Sequence, residues 1–224
     1  MSSYDILNAR GVTRLCHFTK LQSLTHIITS EEGILASNSI RQDIKNVTDT
    51  ARYDGELDFV CCSVQYPNSW FLRKAKQNNS DEIFAEWVVI YIDLRILQYK
   101  TAKFCPCNAS TARGRYINED MRKIESIFNY STRNRVRTIK MLSCCPTDDQ
   151  AEILIEYNIP RESIIGIATG NEDSAKRVYA MLKMYDLEFI PVYIAPDVLT
   201  TEWSNMIREG RYPKEIRCNW LEED

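Results

Sequence analysis

The 224-residue chain has no G-x-G-x-x-G turn, no Walker loop and no G-x-S-x-G elbow. Classical dinucleotide folds, P-loop phosphoryl transfer and α/β-hydrolase chemistry are therefore unsupported. Only two histidines are present, His17 and His26, and none of the eight cysteines forms a C-x-x-C pair. Common zinc spacings are thus missing, and the simplest reading is reduced thiols in a cytoplasmic protein, with a zinc-stabilised regulator as an alternative. The N-terminus lacks the basic-then-apolar layout of a signal peptide, and no apolar run is long enough to span a membrane. No membrane partner is expected. No Gly/Ser- or Pro-rich linker interrupts residues 1–224, which favours a single domain. An excess of positive charge is also missing. At a net charge of −3, nucleic acid is not held by bulk attraction, and any such contact must come from a local basic cluster.

A hydrophobic content of 44% at this length is enough to bury a sizeable core. Residues 14–19 read as a strand with Leu15, His17 and Thr19 on one face and Cys16 and Phe18 on the other. A helix follows, with Leu21, Leu24, Ile27 and Ile28 at helical spacing, and the chain then enters the polar Ser37-Asn38-Ser39. Residues 41–58 are strongly polar and longer than most connections in a compact domain. Within them Arg52 lies in Asp49-Thr50-Ala51-Arg52-Tyr53-Asp54-Gly55. Neighbouring carboxylates there can hold its guanidinium for a phosphate, or the segment is a solvated surface loop.

Residues 59–65 read as a strand broken by Tyr66-Pro67-Asn68-Ser69. Residues 68–76 then read as a helix capped by Ser69 and carrying Trp70 and Arg73. Residues 86–92 are the most apolar strand, expected at the centre of a sheet. A further strand ends near Phe104, and residues 117–130 read as a helix. Residues 131–140 hold Arg133, Arg135, Arg137 and Lys140 with no intervening acid. With Arg113 and Arg115 they are the candidate footprint for a phosphate backbone, although such runs also occur as solvated faces.

The stretch from Cys144 to Pro160 organises the rest. A polar loop with Pro146, Asp148 and Asp149 runs into a strand that places Glu152, Leu154 and Glu156 on one side and Ile153, Ile155 and Tyr157 on the other. Gln150 extends the Glu152 face. A carboxylate and a carboxamide side by side at a loop–strand junction can contact ribose hydroxyls and activate a nucleophile. The same pattern also suits an edge strand with a solvated glutamate. Later segments read as a strand at 164–168, an amphipathic helix at 171–185 burying Ala175, Val178, Leu182 and Tyr185, and a strand at 189–194 whose Pro191 suggests a sheet edge. The polar tail beyond 200 carries Trp203 and Trp220 without an evident role. Strands come in groups rather than in strict alternation with helices, which gives an α+β class.

The dispersed set of His17, Thr19, Arg52, Ser63, Gln65 and Gln150-x-Glu152 resembles the ADP-ribosyltransferases, and within them the DarT family of bacterial toxins that modify DNA bases using NAD+. The resemblance covers residues 12–185. It rests on Arg14-Leu15-Cys16-His17-Phe18-Thr19, Gly33-Ile34-Leu35, Arg52-Tyr53-Asp54-Gly55 and Cys62-Ser63-Val64-Gln65-Tyr66-Pro67-Asn68. Phe104-Cys105, Asn108-Ala109-Ser110 and the 146–154 segment complete it, with Gln150-Ala151-Glu152 the sharpest piece. Shared order and spacing carry the signal.

The resemblance implies a split central β-sheet core with peripheral helices and NAD+ as co-substrate. It implies that His17 and Thr19 contact the ribose and the nicotinamide amide, that Ser37, Asn38 and Gln150 belong to the nucleotide pocket, and that Arg52, counted with Glu152 as catalytic, binds the pyrophosphate and holds the strained cofactor. Glu152 becomes the catalytic residue, opposing the positive charge that develops on the ribose. Single-stranded DNA is implied because a base atom is hidden in a duplex. Tyr66 or Trp70 would stack on an unpaired base, with Arg133, Arg135, Arg137 and Lys140 on phosphates. The Gln65-Tyr66-Pro67-Asn68 and Asn108-Ala109-Ser110 segments look more like the guanine-modifying than the thymine-modifying branch. A DarG-like macrodomain antitoxin is the implied partner. Two alternatives stay open: an ADP-ribosyltransferase acting on RNA or protein, and a non-enzymatic nucleic-acid-binding module in which Glu152 is structural.

Overall fold

The computed structural model describes residues 1–40, 53–78, 86–133 and 135–220. The first half runs α1 (Ser3–Ala9), β1 (Arg14–Lys20), α2 (Leu21–Thr29), β2 (Ile34–Leu35), β3 (Phe59–Val64), α3 (Ser69–Asn78), β4 (Trp87–Asp93) and β5 (Ala102–Cys105). The second half runs β6 (Ser131–Thr132), β7 (Arg135–Val136), β8 (Glu152–Glu156), β9 (Asn158–Ile159), β10 (Ile164–Thr169), α4 (Glu172–Lys183), β11 (Val192–Ile194), α5 (Glu202–Arg208) and β12 (Ile216–Arg217). Short 3-10 turns of helix occur at Leu94–Gln98, Met121–Phe128, Arg161–Ser163 and Pro196–Leu199.

One eight-stranded sheet has the order β12-β11-β10-β4-β1-β3-β8-β5, with only β10 and β11 running parallel. As expected from its apolar run, β4 is central, and Val88, Val89, Ile90 and Ile92 have no exposed surface. Each such side chain contributes roughly 1.5–3 kcal/mol by leaving water. β4 pairs with β1 along all seven residues, from Arg14 opposite Asp93 to Lys20 opposite Trp87. Pairing between β1 and β3 is much shorter and stops after Leu15–Val64 and Cys16–Ser63. Beyond that point the sheet is split, as the α+β reading with a split central sheet required.

Local signals explain the helix starts. The Ser2 side chain accepts from the Asp5 N–H, and the Asp5 carboxylate accepts in turn from the Ser2 N–H, capping α1. Asn171 accepts from the Ser174 N–H at 2.8 Å and caps α4. For α3 the cap is Asn68, one residue earlier than expected: its Oδ1 accepts from the Phe71 N–H at 3.1 Å, and Ser69 is the first helical residue.

Other expectations change with packing. Ile124, Ile127 and Phe128 are buried as their spacing demands, but they do so in a 3-10 helix whose apolar positions recur every three to four residues. Tyr157 does not join Ile153 and Ile155 in the core. It takes a left-handed conformation (φ +62°), ends β8 and is exposed. Tyr185 is also exposed. Pro191 does not mark the sheet edge. It precedes β11, which is flanked by β10 and the two-residue β12, and its carbonyl accepts from Ile167 N–H. Among the described residues no helix is long and apolar enough to cross a membrane. All eight cysteines are free thiols.

A second, two-stranded sheet fixes the wall of the split. Ile34 pairs with Ile159 and Leu35 with Asn158, which ties the segment after α2 to the segment after β8. Gly33 makes this approach possible. Its φ is +68°, and a Cβ there would lie 2.2 Å from the Ile159 carbonyl oxygen and 2.7 Å from Arg161 N. Both obstacles are backbone atoms that cannot rotate away. Gly33→Ala is therefore expected to cost about 1–3 kcal/mol, a fall in Tm of several degrees at this chain length, read by thermal unfolding. An unchanged Tm would mean that the 33–35 and 158–161 segments do not close on each other in solution.

Candidate active site

Where β1 and β3 cease to pair, a cavity of about 470 Å³ opens. Its walls come from β1, β3, α2, the 33–37 segment, the start of α3 and the 108–110 turn, and Glu152 lies among its lining residues. The volume and the mixture of apolar Ile27, Val60 and Phe71 with scattered polar groups are those of a small-molecule site.

Glu152 is the first residue of β8, and its backbone is paired on both sides, with Ser63 of β3 and Cys105 of β5. Its neighbours along the strand divide by face as alternation requires. Ile153 and Ile155 enter the main core, whereas Leu154 packs with Phe59, Cys105, Cys107 and Ala109. The reading of a solvated edge glutamate is excluded, since β8 has a strand on either side and Glu152 is only 8% exposed. Both carboxylate oxygens are held. Asn108 Nδ2 donates to Oε1 at 3.2 Å, and the Ala109 N–H donates to Oε2 at 2.8 Å. Asn108 is itself fixed, because its Oδ1 accepts from the Ser110 N–H at 3.1 Å and from the Ser110 hydroxyl. The result is a buried carboxylate of set orientation at the wall of a cavity.

His17, Thr19 and Ser37 also line this cavity. His17 Nδ1 lies 2.9 Å from the Cys61 carbonyl oxygen, which fixes the imidazole across the gap between β1 and β3. Ser63 and Asn68 add polar atoms, and Asn68 N–H donates to Ser63 Oγ at 2.8 Å. Two expected pocket residues are placed elsewhere. Asn38 is not part of the lining and donates from Nδ2 to Asp58 Oδ1 at 2.9 Å. Gln150 is also outside it, in a turn where its N–H donates to Asp148 Oδ1 at 3.0 Å. Burial holds the Asp148 carboxyl above its ordinary range. Arg52 lies outside the described residues.

The expected nucleic-acid contacts separate in the same way. Trp70 is half-buried, with the Arg73 guanidinium 4.9 Å and the Arg135 guanidinium 6.0 Å from its ring. Arg133 is exposed and lies 4.3 Å from the Tyr116 ring, and Lys140 is exposed. Arg133, together with Thr111, also helps the Cys105 thiol, 3.7 Å away, to pull the Cys107 thiol below its ordinary range. Tyr66 does not fit the stacking role. It is 2% exposed, with its ring centre 5.3 Å from that of Trp203 and the Arg14 guanidinium 5.4 Å away. Arg137 does not fit a phosphate role. Its two terminal nitrogens donate to the Cys145 and Leu142 carbonyls at 2.8 and 2.6 Å, so it ties the loop together from within.

A family model described as "ssDNA thymidine ADP-ribosyltransferase, DarT" matches residues 16–200. The chain belongs to the DarT family. Solved DarT structures share its fold. The Thermus sp. 2.9 DarT complex with ADP-ribosylated ssDNA aligns with a TM-score of 0.61 at 17% identity, covering 84% of this chain and 96% of that one. The complex of the same Thermus protein with NAD+ gives 0.56 at 17% identity, over 83% and 96% of the two chains. Thermosipho africanus DarTG in complex with ADP-ribose gives 0.55 at 16% identity, over 84% of this chain and 51% of that one. No curated protein matches the chain.

Within this DarT fold, Asn108 and Asn68 are the site residues that sequence reasoning did not single out. Both lie in segments that carried the resemblance, but nothing in their spacing shows that one orients Glu152 and the other caps the neighbouring helix. Asn108→Ala is expected to lower activity about 10- to 100-fold with little change in Tm, because a neutral donor is lost from a carboxylate that keeps its backbone anchors. Asn108→Asp is expected to move the acid limb of the pH–rate profile upward, since a second carboxylate beside Glu152 disfavours its ionised form. An unshifted limb in Asn108→Asp would remove Glu152 from the titration that governs rate.

Proposed function

We propose that this chain transfers ADP-ribose from NAD+ to a base of single-stranded DNA, with Glu152 as the catalytic residue. The observation that carries the reading is the placement of Glu152: a buried, doubly held carboxylate in one cavity with His17 and Thr19, in a chain of the DarT family. We read residues 1–224 as one ADP-ribosyltransferase domain, since a single sheet draws strands from Arg14 to Arg217.

The cavity suits NAD+ in size and lining. In the reaction the bond between the nicotinamide nitrogen and ribose C1′ breaks, and its electron pair leaves with neutral nicotinamide. A nitrogen of the base forms the new bond to C1′ and loses a proton. Positive charge develops on the ribose as the first bond lengthens. A fixed carboxylate on the cavity wall opposes that charge without having to reorient. Glu152 also accepts a hydrogen bond from the ribose 2′-hydroxyl and takes the proton released by the base. His17, Thr19 and Ser37 contact the sugar and amide groups, and Arg52 binds the pyrophosphate. Asn38 and Gln150 stay outside this set because of where their side chains lie.

Trp70 supplies the stacking surface for the unpaired base, with Arg133, Arg135 and Lys140 along the phosphates. We favour guanine as the target because of the segments around Asn68 and Asn108, although the matching family model carries thymidine in its description. Asn68, Asn108 and Ser110 line the cavity that also holds Glu152. The reading extends to a toxin held in check by a DarG-like macrodomain antitoxin, the two acting in the cytoplasm, where NAD+ and DNA meet.

The test is intact-mass analysis of single-base-type oligonucleotides incubated with protein and NAD+. A mass gain of one ADP-ribose on guanine-containing strands alone is the expected result. A gain only on thymine-containing strands would reverse the base assignment. Nicotinamide release without any gain on DNA would move the acceptor to RNA or protein.

A further inference from the structure

Beyond residue 200 the family match ends, yet this segment is built into the loop that leads to Glu152. Helix α5 and its flanks bind residues 136–149 at five points. Ile207 carbonyl accepts from Leu142 N–H at 3.0 Å, and Arg208 carbonyl accepts from the Thr138 hydroxyl at 2.6 Å. The Arg208 guanidinium donates to the Val136 carbonyl at 3.2 Å and to the Thr147 carbonyl at 3.0 Å. The fifth contact runs from the Ser204 hydroxyl to Asp149 Oδ2.

Asp149 is the junction of this arrangement. Its side chain has no exposed surface. Oδ2 accepts from Trp70 Nε1–H at 2.9 Å as well as from Ser204. Oδ1 makes no hydrogen bond and lies 3.7 Å from a terminal nitrogen of Arg135. One buried carboxylate thus joins α3, the β6–β7 hairpin and α5. A carboxylate without exposed surface is costly unless its partners stay in place, so these partners are held to one geometry.

We propose that Asp149 is a positioning residue that locks Trp70 and Arg135 into a single DNA-facing unit, and that α5 sets its orientation through Ser204. The inference rests on the reading of Trp70 and Arg135 as nucleic-acid contacts. Asp149 itself is buried away from DNA and acts only through those two side chains. The indole N–H bond fixes the ring plane, and the ion pair keeps the guanidinium beside it. Without Asp149 the indole rotates and Arg135 swings into solvent, so each encounter with a strand must order both again.

Steady-state kinetics with a short single-stranded oligonucleotide and saturating NAD+ tests this. Asp149→Ala, which removes the acceptor of both bonds, is expected to raise the oligonucleotide KM about tenfold with kcat held within about twofold. Trp70→Phe, which keeps a ring and removes the N–H, is expected to raise KM less. The double variant is expected to be little worse than Asp149→Ala alone, because both remove one shared constraint. Ser204→Ala is expected to raise KM by about three- to fivefold while nicotinamide release without DNA stays at the unaltered level.

Should Asp149→Ala not fold, Ser204→Ala with Trp70→Phe reads the same coupling. Independent, multiplying KM effects would overturn the proposal, as would a fall in kcat at constant KM. If the unaltered protein releases no nicotinamide from NAD+, the ADP-ribosyltransferase reading beneath it fails, and this inference with it.

Discussion

Everything functional in this fold depends on the point at which β1 parts from β3. The two strands are bonded for two residue pairs, while β1 keeps all seven of its pairs to β4 on the other side. β1 is therefore held rigidly by the core half of the sheet and is free, on its other edge, to border a cavity. β3 in turn carries β8, and β8 carries Glu152, whose backbone is locked between Ser63 and Cys105. The carboxylate and the His17–Thr19 edge thus sit on two halves of one sheet whose ladder pairs at the seam are those of Leu15 and Cys16, with the His17 ring reaching the Cys61 carbonyl across the gap. Gly33 closes the third side by letting β2 run against β9.

A buried carboxylate beside a cavity would be a liability if its oxygens were bare. Here a backbone N–H and a fixed carboxamide, both neutral donors, meet the two oxygens. Neutral donors keep Glu152 oriented without cancelling the negative charge that a cationic ribose would meet. An arginine in the place of Asn108 would hold the group equally well and blunt its effect. The choice of donor is what makes the geometry useful for glycosidic chemistry.

Much of this was legible in the sequence. The alternation of Glu152 and Leu154 against Ile153 and Ile155, the central apolar β4 and the break after β3 all follow from local periodicity. Arg133 and Lys140 are exposed, as their polar run suggests, and Trp70 is half-buried. What was not legible came from contacts distant in sequence. Tyr66 sits in an exposed-looking Tyr-Pro-Asn turn, yet Trp203 and Arg14 enclose it. Arg137 belongs to the basic run by composition but closes on the Leu142 and Cys145 carbonyls. The tail beyond 200 shows no motif, because its contacts are two backbone carbonyls, the Arg208 guanidinium and the Ser204 hydroxyl on Asp149. Only packing reveals such contacts.

The central claim is that Glu152 acts on the reacting centre rather than on the fold or on cofactor affinity. The most direct test is Glu152→Gln, isosteric and able to accept from the Ala109 N–H through its carbonyl oxygen, with transfer rate and NAD+ affinity measured on the same preparation. The account predicts a loss of rate on the order of 10³-fold, with NAD+ affinity within a few fold of the unaltered protein. A variant that transfers at an undiminished rate, or whose loss is matched by an equal loss of NAD+ affinity, would contradict it.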